Sequence, residues 1–315
     1  MSLNAGAVPG PITLRLPATS ANLGPAFDSA GLAMALDLTI DAQISPDANG
    51  PPLTIEATGR NADRVSRTSN NMIFETYREV LSRAGLGAAP LQLRVHNEIP
   101  LGMGCGSSAA ALLGGVLLAN HFGGLGWDLQ ACIDEASRRE GHPDNVAACA
   151  LGYMTVSTTT GDSVKTATCG QNIMWKLLLA LPVGSFATER ARALLPIAYT
   201  RADVVGNVQR TALLVAAFAL DRGDLLRVAM QDRLHQPYRL EACPLLPLLL
   251  PLAGEPGVLG AALSGAGPGV LLIAEADANT SVISDGIRTA AGDPALEIIE
   301  TRIAPGASQS VAWRT

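Results

Sequence analysis

The sequence predicts a protein of mixed helices and strands that folds as two domains, and three observations lead to this prediction. The chain has 315 residues, a length that suits one large or two medium domains with substantial cores. Apolar residues make up 48% of it and charged residues 16%, as in a compact, core-rich protein. A polar, turn-rich segment at 158–163 separates two series of elements. We therefore expect a boundary near residues 160–175, with domains of 1–170 and 171–315.

The first series of elements follows from apolar alternation and helical periodicity. Strand patterns occur at 12–16, 32–44, 53–57 and 91–96. Helical patterns occur at 71–84, 107–121, 128–139 and 145–151. Gly85 suits the end of the first of these helices and Asp128 the N-cap of the third. Residues 17–25 are rich in turn formers and read as a loop.

The second series begins near residue 174. It starts with a buried-strand pattern at 175–182 and continues with helical patterns at 188–195, 202–221 and 223–234. Strand patterns at 257–263 and 270–274, a helix near 278–291 and a final strand complete the chain.

Charge and cysteine usage exclude several classes of protein. The net charge of −6 argues against a nucleic-acid or anionic-membrane surface. The five cysteines are odd in number and form no C-x-x-C pair, which favours reduced thiols over disulfides or a zinc site. No secretory signal pattern and no apolar run of about 18 residues is present. We therefore expect a cytoplasmic protein.

A glycine-rich loop at residues 100–111 carries the strongest functional signal. Gly102, Gly104 and Gly106 alternate and lead into Ser107 and Ser108, after which a small-residue apolar run begins. Glycines allow positive φ and close backbone approach, and the start of the following helix carries a positive dipole. Such a loop can bind a phosphate. It can equally be a simple turn with one of the serines as N-cap.

Two familiar phosphate-binding loops do not fit this segment. A Walker A loop needs a lysine before its Ser or Thr, but Lys165 and Lys176 are the two lysines of the chain and neither follows a glycine-rich loop. A dinucleotide fingerprint needs G-x-G-x-x-G and an acid at a strand end about 20 positions later. Here the acid nearest that distance, Asp128, opens a helix. With so few lysines, arginine must supply the positive charge for anion recognition.

A second glycine loop lies between two predicted strands and contains Ser264, Gly265, Gly267 and Gly269. Glycines at such a junction mark a close approach to a ligand or to another loop. Two such loops in one chain favour a phosphate-bearing ligand.

Polar residues are concentrated after the predicted helix at 128–139. Mg²⁺ in a nucleotide kinase is held by one or two carboxylates together with phosphate oxygens. Glu140 is the first candidate for this role, with Glu135 and Asp134 as alternatives, although Glu140 also fits a solvated helix end. His142 precedes a proline, so its extended backbone projects the side chain. Asp144 also fits the N-cap of the next helix.

Four more residues are candidates for a ligand site. Asn22 and Asp28 flank a loop rich in glycine and proline, and Asp28 could orient an ammonium or a hydroxyl group. Arg192 and Arg239 lie near predicted helix ends in the second half. Each also has a purely structural interpretation: Asn22 and Asp28 can be turn residues, and the two arginines can be surface charges.

Together these segments resemble the GHMP kinases, the superfamily of galactokinase, homoserine kinase, mevalonate kinase and phosphomevalonate kinase. The phosphate loop of that superfamily reads Pro-x-x-x-Gly-Leu-Gly-Ser-Ser-Ala-Ala, and residues 100–110 match it with Cys105 in the place of the leucine. Within the superfamily, three further segments resemble the homoserine kinase family. They are PATSANLGPAFD at 17–28, EGHPDNV at 140–146 and HQPYR at 235–239.

The resemblance implies both a fold and a reaction. The fold is two α+β domains, the first an ATP-binding domain that contains a βαβ unit with a left-handed crossover, the second a ferredoxin-like α/β sandwich. The reaction is phosphorylation of the hydroxyl of L-homoserine by ATP with Mg²⁺ as cofactor, giving O-phospho-L-homoserine for threonine synthesis. No nucleic-acid or membrane partner is implied, and a homodimer is expected from the family.

The resemblance also implies site residues. L-homoserine would be surrounded by Asn22, Asp28, His142, Asp144, Arg192 and Arg239. The arginines would hold its carboxylate, and Asp28 its ammonium or Asn22 its hydroxyl. ATP would contact Asn71 and the loop residues Pro100, Leu101, Gly102, Met103, Gly104, Cys105, Gly106, Ser107, Ser108, Ala109 and Ala110. Ser108 and Glu140 would hold Mg²⁺, and the catalytic candidates are Asn22, Ser108 and Asp144.

The mechanism expected of such a site relies on positioning and charge neutralisation. No lysine is placed to activate the hydroxyl, so we expect weak or absent general-base catalysis, with Asp144 or the γ-phosphate as proton acceptor. Two other functions stay open. One is another GHMP kinase, acting on mevalonate, a sugar or a diphosphocytidyl alcohol; the other is a non-catalytic small-molecule sensor with this fold.

Overall fold

Two β-sheets with helices packed on them form the part of the chain that the computed structural model describes, residues 9–47, 49–184 and 188–310. The first sheet has seven strands. They are β1 (Ile12–Ala21), β2 (Ala30–Ile44), β3 (Leu53–Gly59), β4 (Leu91–Asn97), β5 (Met154–Thr160), β6 (Ser163–Cys169) and, from the other end of the chain, β11 (Ser308–Ser310).

The strand order of this sheet is β11-β1-β2-β4-β3, and β5 pairs with both β2 and β6. Among the described strands, β3 and β4 are the only parallel neighbours. The connection between them runs through α1 (Ala62–Val65) and α2 (Met72–Arg83), which makes a βαβ unit. The left hand of that crossover stays a prediction.

The helices on the first sheet follow their sequence signals closely. The Asn71 side chain caps α2 by accepting a hydrogen bond from the Phe74 amide at 3.2 Å, and Asp128 caps the helix at Leu129–Glu140 in the same way. In chain order, α2 is followed by α3 (Ser107–Gly123), by the helix that Asp128 caps, α4 (Leu129–Glu140), and by α5 (Asp144–Leu151). Glycine at 115 lets α2 approach α3, because a Cβ there would lie 2.5 Å from the Ile73 carbonyl oxygen.

The second sheet has the order β10-β7-β9-β8 and is antiparallel throughout. Its strands are β7 (Lys176–Leu181), β8 (Val258–Leu263), β9 (Val270–Ala274) and β10 (Glu297–Arg302). Its helices are α6 (Thr188–Ala193), α7 (Arg201–Ala219), α8 (Leu226–Ala229), α9 (Leu245–Leu249) and α10 (Thr280–Ala291). Short 3₁₀ turns lie at Gly223–Leu225, Gln236–Arg239 and Leu250–Gly254.

The apolar core is continuous between the two sheets. One cluster extends from the first sheet to the face of the second that carries α7, where Leu177, Leu214 and Phe218 are buried. A second cluster fills the space between the other face and α9 and α10, around Leu178, Leu246 and Ile287. Alternation along β7 therefore divides its leucines between two cores.

Three sequence predictions about these elements are wrong. Residues 17–21, predicted as loop, continue β1 beyond a β-bulge between Pro17 and Ala18. The polar, turn-rich segment at 158–163, expected to separate the two series of elements, belongs to the β5–β6 hairpin, which turns at Gly161 with φ of 59°. The helix predicted at 223–234 is reduced to a 3₁₀ turn and α8, because the Asp232 carboxylate accepts the amides of residues 234–236 and draws the backbone into a turn.

The end of the described chain returns to the first sheet. Ser308–Ser310 pair with β1, and the Tyr153 amide donates to the Ala304 carbonyl at 2.7 Å. A division at residue 170 therefore assigns every strand of the first sheet to the first part except β11. None of the described helices combines the length and the hydropathy needed to cross a bilayer.

Candidate active site

The glycine-rich loop packs so tightly that two of its residues must be glycine. Gly102, Gly104 and Gly106 all have positive φ, between 69° and 75°. A Cβ on Gly104 would lie 1.9 Å from the Ser264 carbonyl oxygen, and one on Gly106 would lie 1.8 Å from the Thr19 hydroxyl oxygen. These contacts hold the loop against β1 and against the second glycine loop.

The loop ends directly in α3. The N-cap is Gly106, with no side-chain cap, so the alternative of Ser107 or Ser108 as N-cap is wrong and both serines lie in the first turn. The first amides of a helix have no partner inside it, and its dipole is positive at this end. With both hydroxyls free of capping, this first turn can receive an anion. Burial raises the pKa of the Cys105 thiol to about 12, so this residue is an inert filler within the loop.

Ser108 and Glu140 meet beside the loop. The Ser108 hydroxyl donates to a carboxylate oxygen of Glu140 at 2.6 Å, which joins the start of α3 to the end of α4. Burial raises the pKa of Glu140, and the Ser108 hydrogen bond opposes that rise in part. A partly buried carboxylate next to a glycine loop of this kind is suited to a hard cation.

The two alternative acids have other partners. Glu135 accepts hydrogen bonds from Arg138 and Arg139, which lower its pKa although burial alone would raise it. Asp134 accepts the Val164 amide at 2.8 Å and a hydrogen bond from Gln130. Both therefore support local structure, and the Glu140 carboxylate is the one that lines the cleft.

The second glycine loop supports the first. The Ser264 hydroxyl is buried, donates to the Gly104 carbonyl at 2.8 Å and lies 2.9 Å from the Ser20 hydroxyl. The Gly269 amide donates to the Met103 carbonyl at 3.2 Å. Gly267 packs on Cys243 and Leu263. Of the four residues predicted in this loop, Gly265 alone lines the cleft, so the close approach is to another loop.

The segment that follows β1 is held in an unusual backbone. Asn22, Leu23 and Asp28 have positive φ although none is glycine. The Asn22 amide nitrogen donates to the Gly265 carbonyl at 3.0 Å, and its oxygen accepts the Asp28 amide at 2.9 Å. Asn22 thus joins the Asp28 loop to the second glycine loop. Such backbone strain is typical of functional sites.

Asp28 forms a two-pronged ion pair with Arg192 of α6. The two guanidinium nitrogens lie 2.7 and 2.9 Å from the two carboxylate oxygens. The centre of the Phe27 ring lies near two cations, 5.4 Å from the Arg192 guanidinium carbon and 5.6 Å from that of Arg239. A ring face attracts cations, so Phe27 helps to hold both arginines at the cleft.

His142 and Asp144 form a second pair, in which the Asp144 carboxylate is buried and the imidazole is largely buried. The imidazole Nδ1 lies 2.6 Å from an Asp144 oxygen, and that oxygen also accepts the Asn145 amide at 2.7 Å. Asp144 is the first residue of α5, after Pro143, so its expected place as N-cap is wrong by one residue. The hydrogen bond and charge of Asp144 raise the pKa of His142, although burial lowers it.

These side chains line one cleft of about 180 Å³ between the two sheets. All six predicted homoserine ligands line it: Asn22, Asp28, His142, Asp144, Arg192 and Arg239. Phe27 and Asn145 also line it, and neither was predicted from the sequence as a site residue. Asn145 accepts the Thr19 hydroxyl at 2.7 Å and so ties α5 to β1.

A neighbouring cavity of about 410 Å³ opens on the other side of the glycine loop. It is lined by Asn71, Ile73 and Leu101, and it shares Gly102, Ser107 and Ser108 with the cleft. Asn71 donates both amide protons, to the Val65 and Arg67 carbonyls, so it shapes this cavity and has no free N–H group. Arg64 and Arg67 line the cavity and were not predicted.

Not every residue predicted to contact ATP reaches one of these spaces. Ala109 and Ala110 are completely buried in the first core, and Pro100 and Met103 line neither space. The reason is the helix itself: after Ser108 the next two residues of α3 face inward, and Ala111 is the next to face the cavity.

Comparisons with known proteins find relatives over most of the chain. Residues 71–153 match the GHMP kinases N terminal domain, and residues 214–285 match the GHMP kinases C terminal family. The homoserine kinase of Solibacter usitatus is 43% identical over 263 residues, which cover 83% of this chain and 84% of the relative. The homoserine kinase of Synechocystis is 38% identical over 265 residues, 84% and 86% of the two chains.

The fold is similar to that of a solved homoserine kinase from Cytophaga hutchinsonii. The TM-score is 0.80 at 21% identity, and the match covers 98% of this chain and all of that one. The similarity in fold therefore extends over both sheets.

Proposed function

The chain belongs to the homoserine kinase family of the GHMP kinases, and from this premise we propose how it transfers the γ-phosphoryl group of ATP to the hydroxyl of L-homoserine. The product is O-phospho-L-homoserine, an intermediate of threonine synthesis. One observation carries the proposal: a nucleotide-sized cavity and a smaller polar cleft meet at the glycine loop and share Ser107 and Ser108. A phosphate chain that crosses this loop would join the two spaces.

The small cleft suits an α-amino acid. Asp28 would bind the ammonium group, and Arg192 and Arg239 would bind the carboxylate, since guanidinium groups match carboxylates with paired N–H donors. Asn22 has bonds at both ends of its amide, so we assign it the task of fixing Asp28. These charges distinguish an amino acid from mevalonate or a sugar, which have no ammonium group.

The larger cavity would hold the nucleoside of ATP. Its volume of about 410 Å³ lies within the range of small-molecule sites, roughly 300–1,000 Å³. The β- and γ-phosphates would lie on the glycine loop, where backbone amides and the α3 dipole offset their charge. Neither lysine contributes: Lys176 donates to the Ala278 carbonyl, and Lys165 is exposed on β6.

Mg²⁺ fits the donors beside the loop. The Glu140 carboxylate and Ser108 hydroxyl are oxygen donors next to the phosphate site, and burial disfavours the Glu140 charge unless a cation offsets it. When bound, the ion would neutralise charge on the phosphate oxygens. Ser108 and Glu140 are the residues that would hold it.

Proton transfer does not require Asp144 as a base. One Asp144 oxygen already accepts His142 and the Asn145 amide, so we assign Asp144 to the orientation of His142. Phosphoryl transfer needs positioning and charge neutralisation above all, and the transferred phosphoryl group can take the hydroxyl proton. His142 would then contact the substrate in a fixed orientation.

The test is formation of ADP with Mg²⁺ and one of three alcohols: L-homoserine, mevalonate or galactose. We expect activity with L-homoserine, and product analysis should give O-phospho-L-homoserine. Activity confined to mevalonate or galactose would contradict the proposal. If no ADP forms with any of the three alcohols under conditions where ATP binds, the result would favour a non-catalytic sensor.

A further inference from the structure

Arg239 is a buried cation with no carboxylate of its own. Its side chain is 1% exposed, and within the described residues it has no ion-pair partner, whereas Arg192 pairs with Asp28. Burial lowers the pKa of Arg239. A desolvated guanidinium at the wall of a cleft is a strong anion site, provided that its free N–H groups face the ligand.

Three acceptors hold the guanidinium in place. Nε donates to the Ala191 carbonyl at 3.3 Å, and Nη1 donates to the Gly265 carbonyl at 3.4 Å. The third acceptor is His235, whose Nδ1 lies 2.9 Å from Nη1. This is the shortest of the three contacts, and it is the one made by a side chain.

The partners of His235 define its tautomer. A guanidinium can only donate, so Nδ1 must accept. Nε2 lies 2.7 Å from the Gly24 carbonyl oxygen, which can only accept, so Nε2 carries the proton. The imidazole is therefore neutral, in agreement with its complete burial, which lowers the pKa of His235. It is also packed against the Phe27 ring at 5.3 Å.

Asp232 fixes the backbone below this imidazole. Its carboxylate accepts the amides of Leu234, His235 and Gln236, and Asn207 donates to it at 2.7 Å. The turn that carries His235 is thus held at its base, and the ring is held at its far end by Gly24. The ring has one defined position from which to act on Arg239.

We propose that His235 is a positioning residue for substrate binding: its neutral imidazole orients the Arg239 guanidinium so that the free N–H groups face the carboxylate of the amino acid. This rests on the proposed function, in which Arg239 binds that carboxylate. His235 itself is not among the residues that line the cleft. Its contribution should therefore appear in the binding of the amino acid and leave the nucleotide unaffected.

Substitution of His235 by asparagine or by glutamine distinguishes the contact made by Nδ1 from the contact made by Nε2. In His235→Asn the amide oxygen can take the place of Nδ1 and accept from Arg239. In His235→Gln the amide can take the place of Nε2 at Gly24 and leaves Arg239 without its acceptor. Tyr238→Phe, a partly exposed residue of the same turn, is the control for local disturbance.

We measure KM for L-homoserine and for ATP together with Tm for all four proteins. We expect His235→Gln to raise KM for homoserine about tenfold, the effect of one charge-assisted hydrogen bond, with KM for ATP within about twofold. The KM for homoserine of His235→Asn should be at least about threefold lower than that of His235→Gln, although its Tm is equal to or lower than that of His235→Gln. Tyr238→Phe should have the same KM values as the parent. That order of KM values supports orientation of Arg239.

Equal KM values for the Asn and Gln variants, or equal rises in both KM values, would reduce His235 to a packing residue and overturn the proposal. If the Gln variant does not fold, the Asn variant decides: a tenfold rise in KM at unchanged Tm contradicts the inference, and a rise of less than about threefold supports it. Failure of the proposed function would look different, since the parent protein would then form no ADP with homoserine.

Discussion

The Asp28 carboxylate and the Arg192 guanidinium satisfy each other through two hydrogen bonds of 2.7 and 2.9 Å across the cleft. A zwitterionic amino acid has the same two charges, an ammonium and a carboxylate. It can pair with both residues at once, so neither charge loses a partner when the substrate enters. An analogue with one charge would leave one member of this partly exposed pair unmatched.

Asp28→Asn should therefore weaken homoserine binding specifically. We expect KM for homoserine to rise at least tenfold with KM for ATP within about twofold, because a charge-assisted hydrogen bond contributes about 1.5–3 kcal/mol. Asp224→Asn removes a carboxylate of a fully exposed pair with Arg222 and is the matched control. Steady-state kinetics with 4-hydroxybutyrate, which has no ammonium, should show little difference between parent and Asp28→Asn; a large difference would assign Asp28 another role.

Arg239→Ala tests the carboxylate side of the same site. We expect a rise in KM for homoserine well above any change in KM for ATP, since Arg239 lines the small cleft and not the nucleotide cavity. Arg222→Ala, at an exposed position, should change neither value. The reverse pattern, with ATP affected more, would move Arg239 to the nucleotide side.

Gly104→Ala should damage the phosphate loop by contact as well as by backbone strain. Gly104 has φ of 75° and Gly85 has φ of 73°, but a Cβ at Gly104 would meet the Ser264 carbonyl, while one at Gly85 meets nothing within 4 Å. Both substitutions carry the left-handed penalty of about 1–2 kcal/mol. We expect Gly104→Ala to lower Tm further and to raise KM for ATP at least tenfold. Equal Tm values and an unchanged KM for ATP in both variants would contradict the packing described here.

Glu140→Gln should stabilise the protein in the absence of Mg²⁺ and impair catalysis. Burial raises the pKa of Glu140 above that of a free glutamate side chain, so the folded state binds the proton more tightly than the unfolded state. The stabilisation that comes from protonated Glu140 is therefore fully present below the pKa of the unfolded state, about pH 4.5. It is lost as pH rises through the pKa of the folded state. At pH 7 the glutamine side chain removes the cost of keeping an ionised carboxylate at this partly buried position, so Tm should rise by a few degrees.

Glu135→Gln, about one turn earlier in α4, is the control, and its Tm is expected to shift in the opposite direction. Its pKa is lowered by Arg138 and Arg139 although burial raises it, so its charge stabilises the fold above the unfolded pKa and Tm should fall at pH 7. Calorimetry gives both shifts, and titration of kcat with Mg²⁺ should show a higher requirement for Glu140→Gln alone. A lowered Tm for Glu140→Gln, or equal Mg²⁺ requirements, would count against the metal assignment.

Asp144→Asn distinguishes orientation from base catalysis. Loss of a general base costs about 10²–10⁴ in rate, and we expect a smaller loss in kcat here because Asp144 orients His142. The pKa of His142, followed by NMR, should fall, since the carboxylate that raises it is gone. A loss of 10³ or more in kcat with an unchanged KM for homoserine would make Asp144 the base.

Local signals predicted much of this molecule. The Asp128 cap and the glycine loop belong to short segments whose residues determine their own conformation. The six candidate ligand positions came from the resemblance to homoserine kinases, and their roles stay predictions. The contacts that complete the site are between distant residues. Ser264 reaches Gly104, and Arg192 reaches Asp28 across 164 positions. No periodicity encodes such pairs, so the supporting role of the second glycine loop and the acceptor role of His235 required the fold.

The final strand has a consequence for experiments on pieces of this protein. Ser308–Ser310 cover one side of β1, the strand that leads into the Asn22–Asp28 segment. A fragment that stops at residue 170 would contain the larger cavity but leave the outer edge of β1 at Thr13–Arg15 without its partner strand, and such exposed strand edges promote association. We expect that fragment to be prone to aggregation, and a peptide of residues 303–310 added in trans to restore its solubility.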